Sequence, residues 1–409
     1  MSFLAGVTWI FASALVAAAA VRGLFALSYL TGGFRSPRRG EPARHRRFLV
    51  VVPAHNEELL IRDLITSVRA TDYPQDRIEI LVVADNCDDA TADLVRESGE
   101  TVLERHDLEN RGKGQALSWV FQQRDLEGLD AIAIIDADNL VDPAFFAIMN
   151  HELEAGWERI QGYDGIANPD ESIMTRMLSV TYVMKNLLYN GGKARLGWSI
   201  PLMGTGMCFS REAIQRTGWD AMTIGEDYEQ SLNLVEAGER IRFAKEARIG
   251  AQESSTLRQG YVQRQRWMSG RRVLFRRALR SLVEGLRTGR GAQVAVAVDL
   301  LMPTYASMLN GSLIAFGLAL PLFWGRDPAL LWTLFGVLVY QGLEVLAALF
   351  LMRASPRFVA SLAFAPIFLV WRGVIDVLAT FGHRNDRWSR TDRVTHAALD
   401  AEATERPPS

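Results

Sequence analysis

Hydrophobic positions along the chain fall into three regimes. Residues 2–21, SFLAGVTWIFASALVAAAAV, carry no charge, and about 20 residues rising 1.5 Å each match the roughly 30 Å hydrocarbon core of a bilayer. A membrane-crossing helix over residues 1–30 is the expectation. Ala18-Ala19-Ala20 also resembles the cleavage site of a signal peptide, yet the run lacks a basic leader and exceeds a signal core in length. The second regime runs from Phe48 to Arg258. Its apolar stretches FLVVVPA at 48–54, IEILVVAD at 78–85 and AIAIIDAD at 131–138 show no alternation and are separated by helical patterns such as EELLIRDLITSVRA. Such runs predict strands buried on both faces, hence an α/β fold with a mostly parallel sheet. The third regime is apolar again, at 292–324, 329–352 and 358–381. Asp299, Pro303 and Asn310 interrupt its first stretch and Trp371, Arg372 and Asp376 its last, so two or three further membrane helices are expected.

Charge refines these boundaries. Between the second and third regimes, Arg258 to Arg290 holds ten arginines against one acid, Glu284, with Phe275, Leu279, Leu282 and Leu286 at helical spacing. An apolar stripe flanked by arginines describes an amphipathic helix in a membrane interface, with a solvated basic face as the alternative. Arg35, Arg38, Arg39, Arg44, Arg46 and Arg47 crowd the stretch after the first helix, and basic residues beside a span mark its cytoplasmic side. The chain thus divides into an N-terminal transmembrane helix at 1–30, a cytoplasmic domain at 31–257, an interfacial segment at 258–291, a C-terminal membrane region at 292–382 and a basic, then disordered tail at 383–409. That is a multi-pass protein of the cell membrane. Three C-terminal crossings would put Arg384, Arg387, Arg390 and Arg393 on the far side, against the same tendency, and the number of crossings stays open.

The whole-chain averages conceal this segregation: 409 residues, a formal charge of −2 and a mean hydropathy of +0.04. Near-neutrality argues against a general nucleic-acid binder. Cys87 and Cys208 offer neither a disulfide framework nor zinc spacing, and the six histidines form no metal motif.

Candidate chemistry collects where the strands end, because open α/β sheets bind ligands beyond the carboxyl ends of their strands. Pro53-Ala54-His55-Asn56-Glu57 closes the first run and Asp85-Asn86-Cys87-Asp88-Asp89 the second. Asp85 can accept a hydrogen bond from a nucleobase ring N–H, while Asp88 and Asp89 can simply cap the next helix. Asp136-Ala137-Asp138 closes the third; paired carboxylates suit Mg²⁺ or Mn²⁺, which keeps positions for water and diphosphate oxygens, with a solvated turn as the alternative. Arg111-Gly112-Lys113-Gly114-Gln115 lacks P-loop spacing and is either a turn or a lysine held near a sugar nucleotide. Gly204-Thr205-Gly206 lets backbone approach a ligand. Glu226-Asp227 opens a helix, where acids favour the dipole or supply a general base. Gln263, Arg266 and Trp267 share one helical face, an amide, a guanidinium and an indole suited to a diphosphate and a sugar ring.

In this order the motifs resemble those of the membrane-embedded family-two inverting glycosyltransferases, the group containing cellulose, chitin and hyaluronan synthases. The resemblance covers residues 48–270 and extends to the flanking membrane segments. It implies a GT-A fold, a nucleotide-diphospho-sugar donor and a divalent cation, Mg²⁺ or Mn²⁺. Carried onto this chain, it implies Asp227 as general base and Asp138 at the metal. Pro53, Asn56, Glu57, Asp85, Lys113, Asp136, Gln263 and Arg266 would surround the donor, with Asp85 at its base. Gly204, Thr205, Glu226 and Trp267 would face the acceptor. Gly225 stands where the family usually has Thr, which removes a hydroxyl otherwise available to the acceptor. The implied activity is sugar transfer to a hydroxyl at the membrane, extending a cell-surface or exopolysaccharide. The alternatives are single addition to a lipid- or polyprenyl-linked acceptor and, more remotely, an inactive membrane partner protein. Implied partners are the donor, a glycan or lipid-linked acceptor and membrane lipids, with room for an oligomer or an export partner and no nucleic acid.

Overall fold

The computed structural model of the chain describes residues 3–32, 42–253 and 257–381, without the side chains of residues 257–263, 265–267, 377 and 379–381. The chain divides into two compact units. The tail at 383–409 lies outside the described residues.

The larger unit, residues 36–175 and 198–301, is built on one eight-stranded sheet. Its strands are β1 (Phe48–Ala54), β2 (Ile78–Asp85), β3 (Thr101–Arg105), β4 (Ala131–Ile134), β5 (Asn139–Val141), β6 (Arg159–Ile166), β7 (Met207–Ser210) and β8 (Arg242–Ala251), in the order β3-β2-β1-β4-β7-β6-β8-β5. Pairings β3–β2, β2–β1, β1–β4 and β6–β8 are parallel, whereas β4–β7, β7–β6 and β8–β5 are antiparallel. The expected strands at 48–54 and 78–85 form as read. The run at 131–138 is strand only over its first four residues, because β7 pairs with Ala131 to Ile134 alone and the chain then turns, Asn139 N–H donating to the Asp136 carbonyl at 3.1 Å. Asp136 and Asp138 therefore sit on a turn at the carboxyl end of β4.

Burial explains which segments became central strands. Every residue of β1 is buried, and Val50, Val52, Ile80, Val82 and Ala133 share a core with Phe145, Phe146 and Met149 of the helix Phe145–Glu154. Ile61, Leu64, Ile65 and Val68 of the helix Ile61–Arg69 join that core, four residues spaced to lie on one helical face. In the same unit the long helix Leu257–Thr288 packs Leu274 and Ala278 against Leu232 and Val235 of the helix Glu226–Glu236 and Val296 and Leu300 of the helix Gly291–Leu301. Its outer face leaves Phe275, Leu279 and Leu286 exposed. Leu282 is only half-exposed, and Val283 takes its expected place in the outer stripe.

The smaller unit comprises residues 1–35, 176–197 and 302–382. Among its described residues four helices, Phe3–Leu30, Tyr305–Phe323, Pro328–Met352 and Pro356–Asp376, are long and apolar enough to cross a membrane. Two groupings differ from the boundaries drawn on the sequence. The apolar stretch 292–324 is broken around Pro303, so that Gly291–Leu301 belongs with the larger unit and Tyr305–Phe323 with the smaller. Residues 176–197, inside the span 31–257, belong with the smaller unit. Glycines make the second grouping physical: a Cβ on Gly192 would run into the Phe25 carbonyl of the N-terminal helix, and one on Gly191 into the Tyr29 ring. Inside this unit Arg22 Nε reaches both carboxylate oxygens of Glu344 at 3.2 Å, and its guanidinium carbon lies 5.5 Å from the Tyr189 ring centre and 5.3 Å from that of Tyr305.

Candidate active site

The carboxyl ends of β1, β2 and β4 converge on two clusters of polar side chains. At the first, β2 delivers Asp85, fully buried, and the neighbouring β3 delivers Arg105 in register with it. Arg105 Nη1 donates to Asp85 Oδ1 at 2.6 Å, and Nη2 donates to Asp107 Oδ2 at 2.9 Å and to the Asn110 carbonyl at 2.7 Å. Burial pushes the Asp85 carboxyl above its ordinary range against the pull of Arg105. The His55 ring nitrogen Nδ1 lies 2.8 Å from the Asp85 carbonyl. Asn56 and Asn86 both adopt left-handed backbone, at φ 58° and 52°, so the chain reverses sharply after β1 and after β2. The two loops are lashed together there. Asn56 Nδ2 donates to Asp88, the Asp88 N–H donates to Asn56 Oδ1 at 2.9 Å, and the Glu57 N–H donates to Thr91 Oγ1 at 2.8 Å. Pro53 is a buried strand residue opposite Val83.

The second cluster is organised by Lys113, the first residue of the helix Lys113–Gln123. Its ammonium lies 2.5 Å from Asp136 Oδ1 and 3.6 Å from Glu226 Oε1, and it donates to the Gly204 carbonyl at 2.6 Å. Gly204, at φ +90°, turns the backbone inward; a Cβ there would sit 3.7 Å from both Lys113 Nζ and Asp227 Oδ2. Thr205 Oγ1 accepts from the Asp136 N–H at 3.1 Å. Lys113, Asp136, Gly204, Thr205, Glu226 and Asp227 thus meet, although they come from distant stretches of the chain. Lys113 is held above its ordinary value because Asp136 and Glu226 outweigh the opposing effect of its burial. Burial pushes the Asp136 carboxyl up to about 6, with Lys113 opposing and Asp138 reinforcing the shift. Burial and the adjacent Glu226 push Asp227 up to about 7.

Close backbone packing borders this cluster. A Cβ on Gly114 would strike the Ala221 carbonyl, and one on Gly225 would lie 3.1 Å from the Gly270 Cα. Gly225, the departure from the family pattern, is where the segment carrying Glu226 and Asp227 rests on the long helix. That helix contains Gln263, Arg266 and Trp267, whose side chains lie outside the described residues. Glu229 Oε2 accepts from the Met222 and Thr223 N–H groups, both at 2.8 Å, and steadies the same loop.

A divalent cation fits the carboxyl end of β4. Among the described residues no three His, Cys, Asp or Glu side chains gather into a metal cage, but a magnesium-like ion needs only one or two carboxylates when phosphate oxygens complete its shell. Asp136 and Asp138 are two residues apart, and the repulsion between them, which adds to burial in raising Asp136, is what a cation would relieve.

Arg105 carries no signal in the sequence, because the segment TVLER is short and half-polar and its strand is only partly buried. The same holds for Gln161, whose Nε2 donates to the Thr205 carbonyl at 2.8 Å and whose Oε1 accepts from the Met203 N–H at 2.8 Å. No local pattern marks either residue; both act across the sheet.

A sheet that switches from parallel to antiparallel at β4, with acids and a lysine gathered beyond its carboxyl edge, defines a GT-A glycosyltransferase fold. The chain belongs to the glycosyltransferase-like family 2, whose family model matches residues 45–270. It is 30% identical over 233 residues to the "Probable glycosyltransferase YdaM" of Bacillus subtilis, covering 54% of each chain. It is 28% identical over 234 residues to a poly-beta-1,6-N-acetyl-D-glucosamine synthase of Staphylococcus aureus, covering 55% of each. The match thus spans about half the length of these relatives. Among solved structures, a mannosyltransferase of Pyrobaculum calidifontis, in complex with GDP-mannose and Mn²⁺, shares the fold with a TM-score of 0.51 and 19% identity, over 83% of this chain and 97% of that one.

Proposed function

We propose that the chain is a metal-dependent, inverting hexosyltransferase that moves a sugar from a nucleotide-diphospho-sugar to a hydroxyl acceptor at the cytoplasmic face of the cell membrane, extending a cell-surface or exopolysaccharide. The observation that carries this reading is Asp227, half-buried, raised to about 7 and facing Gly204 beside the Lys113 ammonium. Inversion is a single displacement at the anomeric carbon, and it needs a base for the incoming hydroxyl and positive charge beside the departing diphosphate. Asp227 takes the hydroxyl proton. Lys113, tethered to Asp136 at 2.5 Å, holds charge beside the leaving group, and Gln263 and Arg266 bind the diphosphate. Asp85 reads the base, while Gly204, Thr205, Glu226 and Trp267 border the acceptor. Asn56 and Glu57 act by bracing the loop over the donor. Asp138, with Asp136 beside it, would hold the divalent cation, which would supply electrostatic stabilisation of the diphosphate.

Asp227→Asn tests the assignment. Transfer should fall by about 100-fold or more, while donor affinity, measured by titration calorimetry, changes by less than about twofold; near-normal turnover in this variant would remove Asp227 from its role. The exposed stripe Phe275, Leu279, Val283 and Leu286 favours seating at the membrane interface and keeps a second reading in view, single addition to a lipid-linked acceptor. Product length from purified protein separates the two: a ladder of oligomers supports polymer extension, and one added sugar supports the lipid acceptor.

A further inference from the structure

The end of β8 is tied to two parts of the site at once. Ala251 pairs with Asn139 of β5 on one side and with Ile166 of β6 on the other, and the next residue, Gln252, donates its N–H to the Asp138 carbonyl at 3.4 Å. Asn139 in turn donates from Nδ2 to Asp138 Oδ1 at 2.6 Å. The strand end thus backs the turn that carries Asp136 and Asp138. Glu253 follows, its backbone clasped by a single amide: its N–H donates to Asn168 Oδ1 at 2.9 Å and its carbonyl accepts from Asn168 Nδ2 at 3.0 Å. Its carboxylate oxygen Oε2 lies 3.5 Å from Arg264 Nη2, with only 2% of Glu253 and 3% of Arg264 exposed. Arg264 stands within one helical turn of Gln263, Arg266 and Trp267, so holding it fixes the height and rotation of that turn. An ion pair at this depth adds little net stability over an apolar pair of similar volume, because both charges must leave water. It does join two particular side chains, and a slip of the helix would part them.

We propose that Glu253 is a positioning residue for sugar transfer: paired with Arg264, it holds the helix turn bearing Gln263, Arg266 and Trp267 in register with the Asp136–Asp138 turn, so that one diphosphate meets the helix and the cation together. This rests on the donor-site reading of both turns. Neither Glu253 nor Arg264 needs to touch the donor. A diphosphate held from two sides gains from both only while their spacing is right, and a shift of about 1 Å is enough to lose much of that gain.

The test uses the full chain in nanodiscs and measures UDP and GDP binding by calorimetry with and without Mn²⁺, following whichever nucleotide binds more tightly. The quantity read is the factor by which Mn²⁺ tightens that binding. In Glu253→Gln the factor should fall about tenfold or more, while metal-free affinity is little changed. Glu253→Met combined with Arg264→Met replaces the charges with an apolar pair and should recover the thermal stability that Glu253→Gln loses, yet leave the Mn²⁺ factor low. Arg264→Lys, which keeps a cation opposite Glu253, should hold the factor closer to the wild type than either. Recovery of the factor together with stability in the double variant would mark a merely structural pair and overturns the proposal, as does an unchanged factor in Glu253→Gln. Where Glu253→Gln does not fold, the double variant and Arg264→Lys carry the comparison. A folded wild type that binds neither nucleotide, or binds them regardless of Mn²⁺, overturns the donor-site reading itself.

Discussion

A carboxylate is a stronger base near neutrality when its surroundings oppose its charge, and Asp227, the proposed base, meets that condition through burial and the adjacent Glu226. The sign of the pH dependence follows. A base must be ionised to act, and the Asp227 carboxyl is raised to about 7, so if Asp227 is the base kcat should fall about tenfold per pH unit below roughly 7 and level off above it. A rate that stays flat between about pH 5 and 8 would contradict the assignment. At this scale the sequence disclosed the kinds of residue and little of their company. Asp85, Asp136, Asp138 and Asp227 are legible because acids at strand ends and helix starts stand out locally. The pairing of Lys113 with Asp136 and Glu226, at 2.5 and 3.6 Å, is not legible, because the residues come from different elements.

Between elements, two contacts carry predictions. Gly225 and Gly270 bring the Glu226–Asp227 segment against the long helix, a Cβ on Gly270 meeting the Gly225 Cα at 2.9 Å. Gly225→Thr, which restores the family's usual residue, should therefore cost about 1–3 kcal/mol of stability and lower kcat, with nucleotide affinity unchanged; thermal unfolding and calorimetry on one preparation check both. In the smaller unit, Arg22→Leu strands the buried Glu344 carboxylate and should cost about 3–5 kcal/mol. Arg22→Leu combined with Glu344→Leu should recover most of that loss, since an apolar pair replaces an ionic one. Unfolding in detergent compares the single and double variants, and equal losses would show that the stranded Glu344 carboxylate is not what destabilises Arg22→Leu. Elements with strong internal pattern were readable: the strands Phe48–Ala54 and Ile78–Asp85 and the helix Pro328–Met352 lie where uninterrupted apolar runs predict them. β3 and β5 to β8 escaped, because short or half-polar strands gain their stability from neighbours in the sheet and not from their own composition.

Across the whole molecule, the near-zero net charge is a sum over unlike parts, an acidic pocket beyond β4 and an arginine-rich helix with an exposed apolar stripe. Exhaustive chelation should lower transfer about 100-fold or more and weaken nucleotide binding with it, because Asp136 and Asp138 then face a diphosphate uncompensated; adding back Mn²⁺ or Mg²⁺ should restore both. Full activity in the chelated protein would refute the metal requirement. Local periodicity was sufficient for the α/β class and the candidate membrane helices, because each depends on residues within a few turns of one another, while the order of the motifs carried the resemblance to the family. Long-range packing was needed to seat Arg105 beneath Asp85, to gather three elements around Lys113 and to give Gly225 a reason in Gly270. It also moved residues 176–197 away from the catalytic unit and 291–301 into it, since which neighbour buries an apolar helix is settled by the partner surfaces available, and a helix's own pattern does not name them.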